Sequence, residues 1–280
     1  MRIHVSSDST CDLSPDLIEK YHIGITPLYV VMDGVPYRDT LDICPEDIYN
    51  YVQKNNRVCS TAALNVQDYI DYFSSIRETY DAIIHFTISS DMSSCYQNAC
   101  IAAEEIGNVW VIDSRNLSTG IGHLVLNAAE MVAEGKEPQE IVDILNEKKK
   151  KLDVSFVIDT LKYLALGGRC SSVVALGANL LNLKPTILVH EGKMSVGKKY
   201  RMSYDRALLR YVRDQLGDLD TVDTHRIFIT DSGTSEENRQ AVEKLLRELL
   251  PFEEIYHTRA GCTVSNHCGP NTLGILFYRK

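Results

Sequence analysis

No stretch of this sequence stays apolar for the roughly 20 residues that a helix needs to cross a bilayer. The opening MRIHVSSDST lacks the apolar segment of a secretion signal and reads as a strand. The expected compartment is therefore the cytoplasm, where the eight cysteines (11, 44, 59, 95, 100, 170, 262 and 268) are expected to be reduced thiols. None of them falls in a C-x-x-C pair. Positive charge is also short: 29 Lys and Arg face 38 Asp and Glu, a formal net charge of −9. Such a surface repels phosphate backbones, so no nucleic-acid partner is expected. The one basic run, EKKKKLD at 147–153, reads as a solvated helix end beside the negative pole of its dipole.

Nucleotide and nucleophile signatures are missing too. No G-x-x-x-x-G-K-[ST], kinase signature or strand-borne G-x-G-x-x-G occurs, so the chain by itself has no evident means of holding ATP or NAD, and no cofactor is expected. Gly120 and Gly122 in STGIGH read as close packing of a helix against a neighbouring backbone. No G-x-S-x-G elbow presents a serine, and no histidine spacing recommends a triad, so no catalytic residue is assigned. Cys262, His267 and Cys268 in GCTVSNHCGP are zinc-type side chains. Adjacent His-Cys without a second cysteine pair does not make a four-ligand site, so no metal is expected. His267, just before Gly269-Pro270, reads as held at a loop tip by turn chemistry.

What the sequence does have is alternation of short β-rich runs with helical ones, the pattern of an α/β protein. With 280 residues, 44% of them hydrophobic, the chain suits one large or two modest domains. RIHVSS, ITPLYVVM, DAIIHFTIS and NVWVID read as strands, with helices near 45–54, 65–77, 93–106, 116–134 and 138–151. Strands separated by helices predict a parallel sheet covered on both faces. After VSFVID, KPTILVHEGKMSVGKKY reads as a hairpin, and RIFITDSG, FEEIYHTRA and LGILFYRK add strands beside helices near 203–216 and 235–249. That predicts a mixed sheet. Two α/β domains are expected, 1–152 and 153–280, with a ligand between them.

HVSSDST, VWVIDSR and IFITDSG each end a strand in Asp-Ser, where helix N-termini converge in open α/β sheets. Capping accounts for Ser114 and Ser232. The hydroxyl-dense SSDMSSC, with Ser93 and Ser94, and CSTAALN, with Ser60 and Thr61, are either caps or donors to a bound anion. DTLKYLALGGRCSS places Arg169 between a helix stopped by Gly167-Gly168 and a second helix, VVALGANLLNL, capped by Ser171 or Ser172 and ending near Pro185. Its guanidinium either offsets a bound carboxylate or phosphate, or caps the carbonyls of the preceding helix.

Together these segments resemble the DegV family, the bacterial fatty-acid-binding proteins that serve as the acyl-binding subunit of fatty acid kinase. The resemblance rests on DSTCDL (8–13), STAALN (60–65), ISSDMSSCYQNA (88–99), VIDSRNLSTGIG (111–122), DTLKYLALGGR (159–169) and NHCGPNTLGILFY (266–278), in the family's order over nearly the whole chain. Y-L-x-x-G-G-R together with H-x-G-P-x-x-L-G is the specific part. It implies a small parallel sheet followed by a mixed six-stranded sheet, with a long-chain fatty acid buried between them. Thr61 and Ser93, with Ser60 and Ser94 beside them, match the hydroxyls that hold the carboxylate. Arg169 and His267 match the mouth of the tunnel, where a separate ATP-binding kinase subunit delivers phosphate to form an acyl phosphate. Transient contact with a membrane surface suits such a ligand. Two stretches depart from the family's habit: Ser-Thr-Ala-Ala stands at 60–63 for Thr-Ser-Gln-Pro, and Met-Ser-Ser-Cys-Tyr at 92–96 for Leu-Ser-Gly-Thr-Tyr. The other functions consistent with the residues are a lipid carrier or sensor without phosphoryl transfer, and an enzyme acting on a small anion through Asp8, His267 or Ser93.

Overall fold

Ala-Ile-Ile-His-Phe-Thr, buried at every position, can only be a strand covered on both faces. In the computed structural model, which describes residues 1–170 and 183–280, it forms β6 (Ala82–Thr87) inside a parallel sheet. The sheet order is β2-β1-β6-β7, with β1 at Ile3–Asp8, β2 at Gly24–Thr26 and β7 at Val109–Asp113. Helices α1 (Pro15–Lys20), α2 (Pro45–Asn55), α3 (Val66–Arg77), α4 (Cys95–Ile106), α5 (Thr119–Ala133) and α6 (Pro138–Lys148) connect and cover this half.

ITPLYVVM, expected as one strand, is two. Pro27 has no N–H to give a ladder, and the chain changes sheets there. Residues before it lie in β2, while β3 (Tyr29–Met32) enters an antiparallel sheet of order β4-β3-β5, with β4 at Val35–Arg38 and β5 at Ser60–Ala62.

The second half builds a six-stranded mixed sheet, β10-β9-β8-β13-β11-β12. Its strands are β8 (Leu152–Ile158), β9 (Lys184–His190), β10 (Lys193–Tyr200), β11 (Val222–Ser232), β12 (Glu254–Arg259) and β13 (Thr272–Arg279). All neighbours are antiparallel except β11 and β12. The β9–β10 hairpin turns on Glu191 and Gly192, both at positive φ (47° and 83°), the geometry of a tight two-residue turn. Helices α7 (Lys162–Gly167), α8 (Tyr204–Leu216), α9 (Glu236–Leu249) and α10 (Cys262–Cys268) complete the described residues. The helix expected to follow Arg169, with its cap at Ser171 or Ser172, falls on 171–182 and lies outside them.

The long helix α5 joins the halves. It is buried throughout Thr119–Ala128, and His123 Nε2 pairs with the Leu276 carbonyl of β13 at 2.8 Å. Gly120 makes this contact close, since a methyl there would lie 3.0 Å from Val154 Cγ2, while Gly122 packs α5 within the first half, 3.1 Å from the Cys11 carbonyl for a methyl at that position. One apolar core therefore runs from Phe86 of the parallel sheet through Ile121 to Phe156 and Leu276 of the mixed sheet. We propose 1–152 and 153–280 as the two units, because the strands segregate that way.

Candidate functional site

Where the carboxyl ends of the parallel strands meet the inner face of the mixed sheet, a cavity opens between the halves. Val154, Phe156, Met194 and Leu276 of the mixed sheet supply apolar wall together with Ile88 and Leu117 from the loops after β6 and β7, and Thr61, Ser93, Ser94, Arg169 and His267 line it too. Five of the six residues singled out from the sequence thus border one space. Ser60 does not: it is exposed at the start of β5, while Thr61 beside it is half-buried and lines the cavity.

Thr61 Oγ1 lies 3.1 Å from His267 Nε2, a contact across 206 residues of sequence. His267 is not at a loop tip. It occupies the last turn of α10, whose residues (Thr, Val, Ser, Asn, Cys) are weak helix formers. The helix exists because its free N-terminal N–H groups find distant carboxylates. Asp39 accepts from Cys262 N at 2.7 Å and Thr263 N at 3.1 Å, and Asp12 accepts from Gly261 N at 2.8 Å. Neither aspartate stands out in the sequence, since the donors are more than 220 residues away. Asp12 is further bonded by the Ser118 hydroxyl at 2.5 Å, and Asp39 by that of Ser9 at 3.0 Å. Burial raises Asp12 well above the usual carboxylate range and Asp8 to about 6, against the hydrogen bonds each accepts.

Burial, and after it the charge of Arg169, lowers His267 to about 4, so the ring is neutral at pH 7. Its Nδ1 is buried and has no hydrogen-bond partner among the described residues. The two glycines of Gly-Gly-Arg have separate tasks. Gly167 lets α7 lie directly on the imidazole, since a methyl there would overlap His267 Nδ1. Gly168 ends α7 in the left-handed conformation, φ 69°, its N–H returning to Leu164 O at 3.2 Å. Arg169 then donates from Nη1 to Gly167 O at 2.7 Å, so it caps the preceding helix while it borders the cavity. Both readings of Arg169 are compatible with that placement.

Ser93, which also lines the cavity, ends a tight turn in which Met92 N and Ser93 N both donate to Ser89 O, at 2.9 and 3.2 Å. Its Oγ accepts from Cys95 N at 3.3 Å and donates to Cys95 Sγ at 3.1 Å, a poor acceptor that a ligand oxygen could replace. Ser94 precedes α4 and makes no side-chain cap. The arrangement borders an apolar space with neutral hydroxyls, an uncharged imidazole and one guanidinium. Among the described residues no group of three or more His, Cys, Asp or Glu is placed to hold a metal, and no helix is long and apolar enough to cross a membrane.

A family model described as that of uncharacterised proteins of the DegV family matches residues 2–280. A DegV domain-containing protein of Caldanaerobacter subterraneus is 31% identical over 281 residues, covering 100% of this chain and 99% of that one. The solved structure of a DegV family protein from Thermus thermophilus, described by its fatty acid binding, superposes with a TM-score of 0.90 at 30% identity over 100% of both chains. DegV of Bacillus subtilis, described as a fatty acid binding protein, does so with a TM-score of 0.87 at 28% identity, again over 100% of both. With sequence and fold matched from end to end, this chain belongs to the DegV family.

Proposed function

We propose that this protein binds one long-chain fatty acid in the cavity between its parallel and mixed sheets. Thr61 and Ser93 hold the carboxylate and Ser94 lies beside them, while the chain lies along Val154, Phe156 and Leu276. The observation that carries the reading is the cavity itself: an apolar space bordered by hydroxyls, His267 and Arg169. Solved relatives at 28–30% identity whose descriptions specify fatty acid binding support it. The energetics favour the same ligand. Each buried methylene is worth about 0.8 kcal/mol, so about fourteen give roughly 11 kcal/mol before ordering costs. Ser60, outside the cavity lining, takes no part.

The exposed end of such a carboxylate is where a second protein could act. In this reading the chain is the acyl-binding subunit, working in the cytoplasm. A separate kinase with its own ATP phosphorylates the carboxylate, and Arg169 and His267 offset the charge that develops. Denaturing extraction of the purified protein followed by mass spectrometry tests the binding claim, and about one fatty acid per chain is expected. Protein consistently free of lipid after expression in a lipid-rich host contradicts it. Acyl phosphate formation with ATP and a fatty acid kinase subunit tests the second step.

A further inference from the structure

The strand that carries Thr61 is poorly secured by its own sheet. β5 has three residues, sits at the sheet edge and, among the described residues, pairs with β3 alone. The chain leading into it is exposed from Gln53 to Arg57. A hydroxyl on such an edge should wander, yet Thr61 Oγ1 is placed within hydrogen-bond reach of His267. Something else must set its position.

We infer that Asn266 is a positioning residue that fixes Thr61 against His267. Asn266 is fully buried, and its amide grips both backbone groups of Cys59. Nδ2 donates to Cys59 O at 2.9 Å, and Oδ1 accepts from Cys59 N at 3.1 Å. This pairing is what a neighbouring strand would give one residue of an antiparallel ladder. Here a side chain supplies it, on the segment just before β5. Cys59 and Thr61 are two apart and so share a face of the extended chain, while Asn266 and His267 are adjacent in α10. The helix thus holds the strand at two points, the first by an amide and the second by the imidazole. α10 is in turn fixed by Asp12 and Asp39, so the grip is transmitted to a rigid base. Without the amide, a buried N–H and C=O lose their partners and the Thr61 hydroxyl loses its fixed distance to the ring.

The consequence for ligand binding rests on the fatty-acid reading above, but the grip itself does not, and the test separates them. On ligand-free protein, the imidazole 15N shifts of His267 report its hydrogen bond with Thr61. Asn266→Ala is expected to move them in the direction Thr61→Ala does, and unchanged shifts overturn the inference whatever the protein binds. With palmitate as probe, Asn266→Ala is expected to weaken binding about two- to tenfold, the value of one neutral hydrogen bond. The double variant Asn266→Ala/Thr61→Ala should bind no more weakly than Thr61→Ala alone. Additive losses in affinity would mean that Asn266 acts on stability only. If wild-type protein binds no palmitate, the proposed function fails while the shifts still decide the role of Asn266. Asn266→Ser, smaller and still polar but too short to bridge, serves the same measurements if the alanine variant does not fold.

Discussion

Replacing Gly167 and Gly168 one at a time by alanine should give opposite patterns. Gly167 is the last residue of α7 and lacks a positive φ, so helix propensity alone favours alanine there by up to about 1 kcal/mol. A methyl at that position, however, would overlap Nδ1 of His267. The ring is held on its far side by Thr61 and cannot yield without breaking that bond. Overpacking of this kind costs about 1–3 kcal/mol, so Gly167→Ala should leave stability unchanged or lower it by up to about 2 kcal/mol once propensity is offset. Because the ring moves, palmitate affinity should fall as well, by about the two- to tenfold of one lost hydrogen bond. Gly168→Ala meets no atom of the described residues within 4 Å but must hold φ 69°. It should lose about 1–2 kcal/mol to backbone strain and keep its affinity. Urea unfolding and calorimetric titration of both variants read the difference. A Gly167→Ala protein that is stabilised by the full propensity gain and binds palmitate like wild type refutes the close packing of α7 on His267.

Arg169→Ala and His267→Ala should still bind fatty acid, within about tenfold of wild type, because the buried tail supplies most of the affinity. Both should lose most acyl phosphate formation in an assay with a kinase subunit and ATP; turnover equal to wild type removes them from the proposed phosphoryl step. Asp39→Ala strips partners from two backbone N–H groups and the Ser9 hydroxyl, and should cost about 3 kcal/mol in urea unfolding; a loss below about 1 kcal/mol contradicts its role in holding α10. Stability should fall as pH drops through the range between the unfolded and folded histidine values. Burial lowers His4 and His267 to about 4 and His85 and His123 to about 3, so unfolding at about pH 5 takes up roughly four protons there. Burial raises Asp8 to about 6 and Asp12 well above the usual carboxylate range, so unfolding releases up to roughly two protons from them, leaving a net uptake of at least roughly two. The melting temperature should therefore drop steadily from about pH 6.5 towards 4.5, and a flat profile over that range contradicts the neutral burial of the histidines.

The parts of the structure visible in the sequence are those that depend on neighbours along the chain. The all-buried run at β6 and the Glu191-Gly192 turn carry their own signals, by apolarity and by tolerance of positive φ. The Gly167-Gly168 stop likewise announced itself, although only the structure separates its packing glycine from its capping one. The failures fall where distant residues decide. α10 is composed of weak helix formers and is secured by Asp12 and Asp39, so His267 looked like a loop residue. β5 is too short to show a period, so nothing along the chain separates exposed Ser60 from Thr61, which borders the cavity. Asn266 gave no sign at all, because its partner Cys59 lies 207 residues earlier.

The central claim is that a fatty acid lies between the sheets with its carboxylate at Thr61 and Ser93. A crystal structure of the delipidated protein resupplied with palmitate tests it most directly. The account predicts one extended or curved acyl chain against Val154, Phe156 and Leu276, with its carboxylate oxygens within hydrogen-bond distance of Thr61 Oγ1 and Ser93 Oγ. A chain bound in the reverse direction, with its methyl end at those hydroxyls, or bound only outside this cavity, would contradict it.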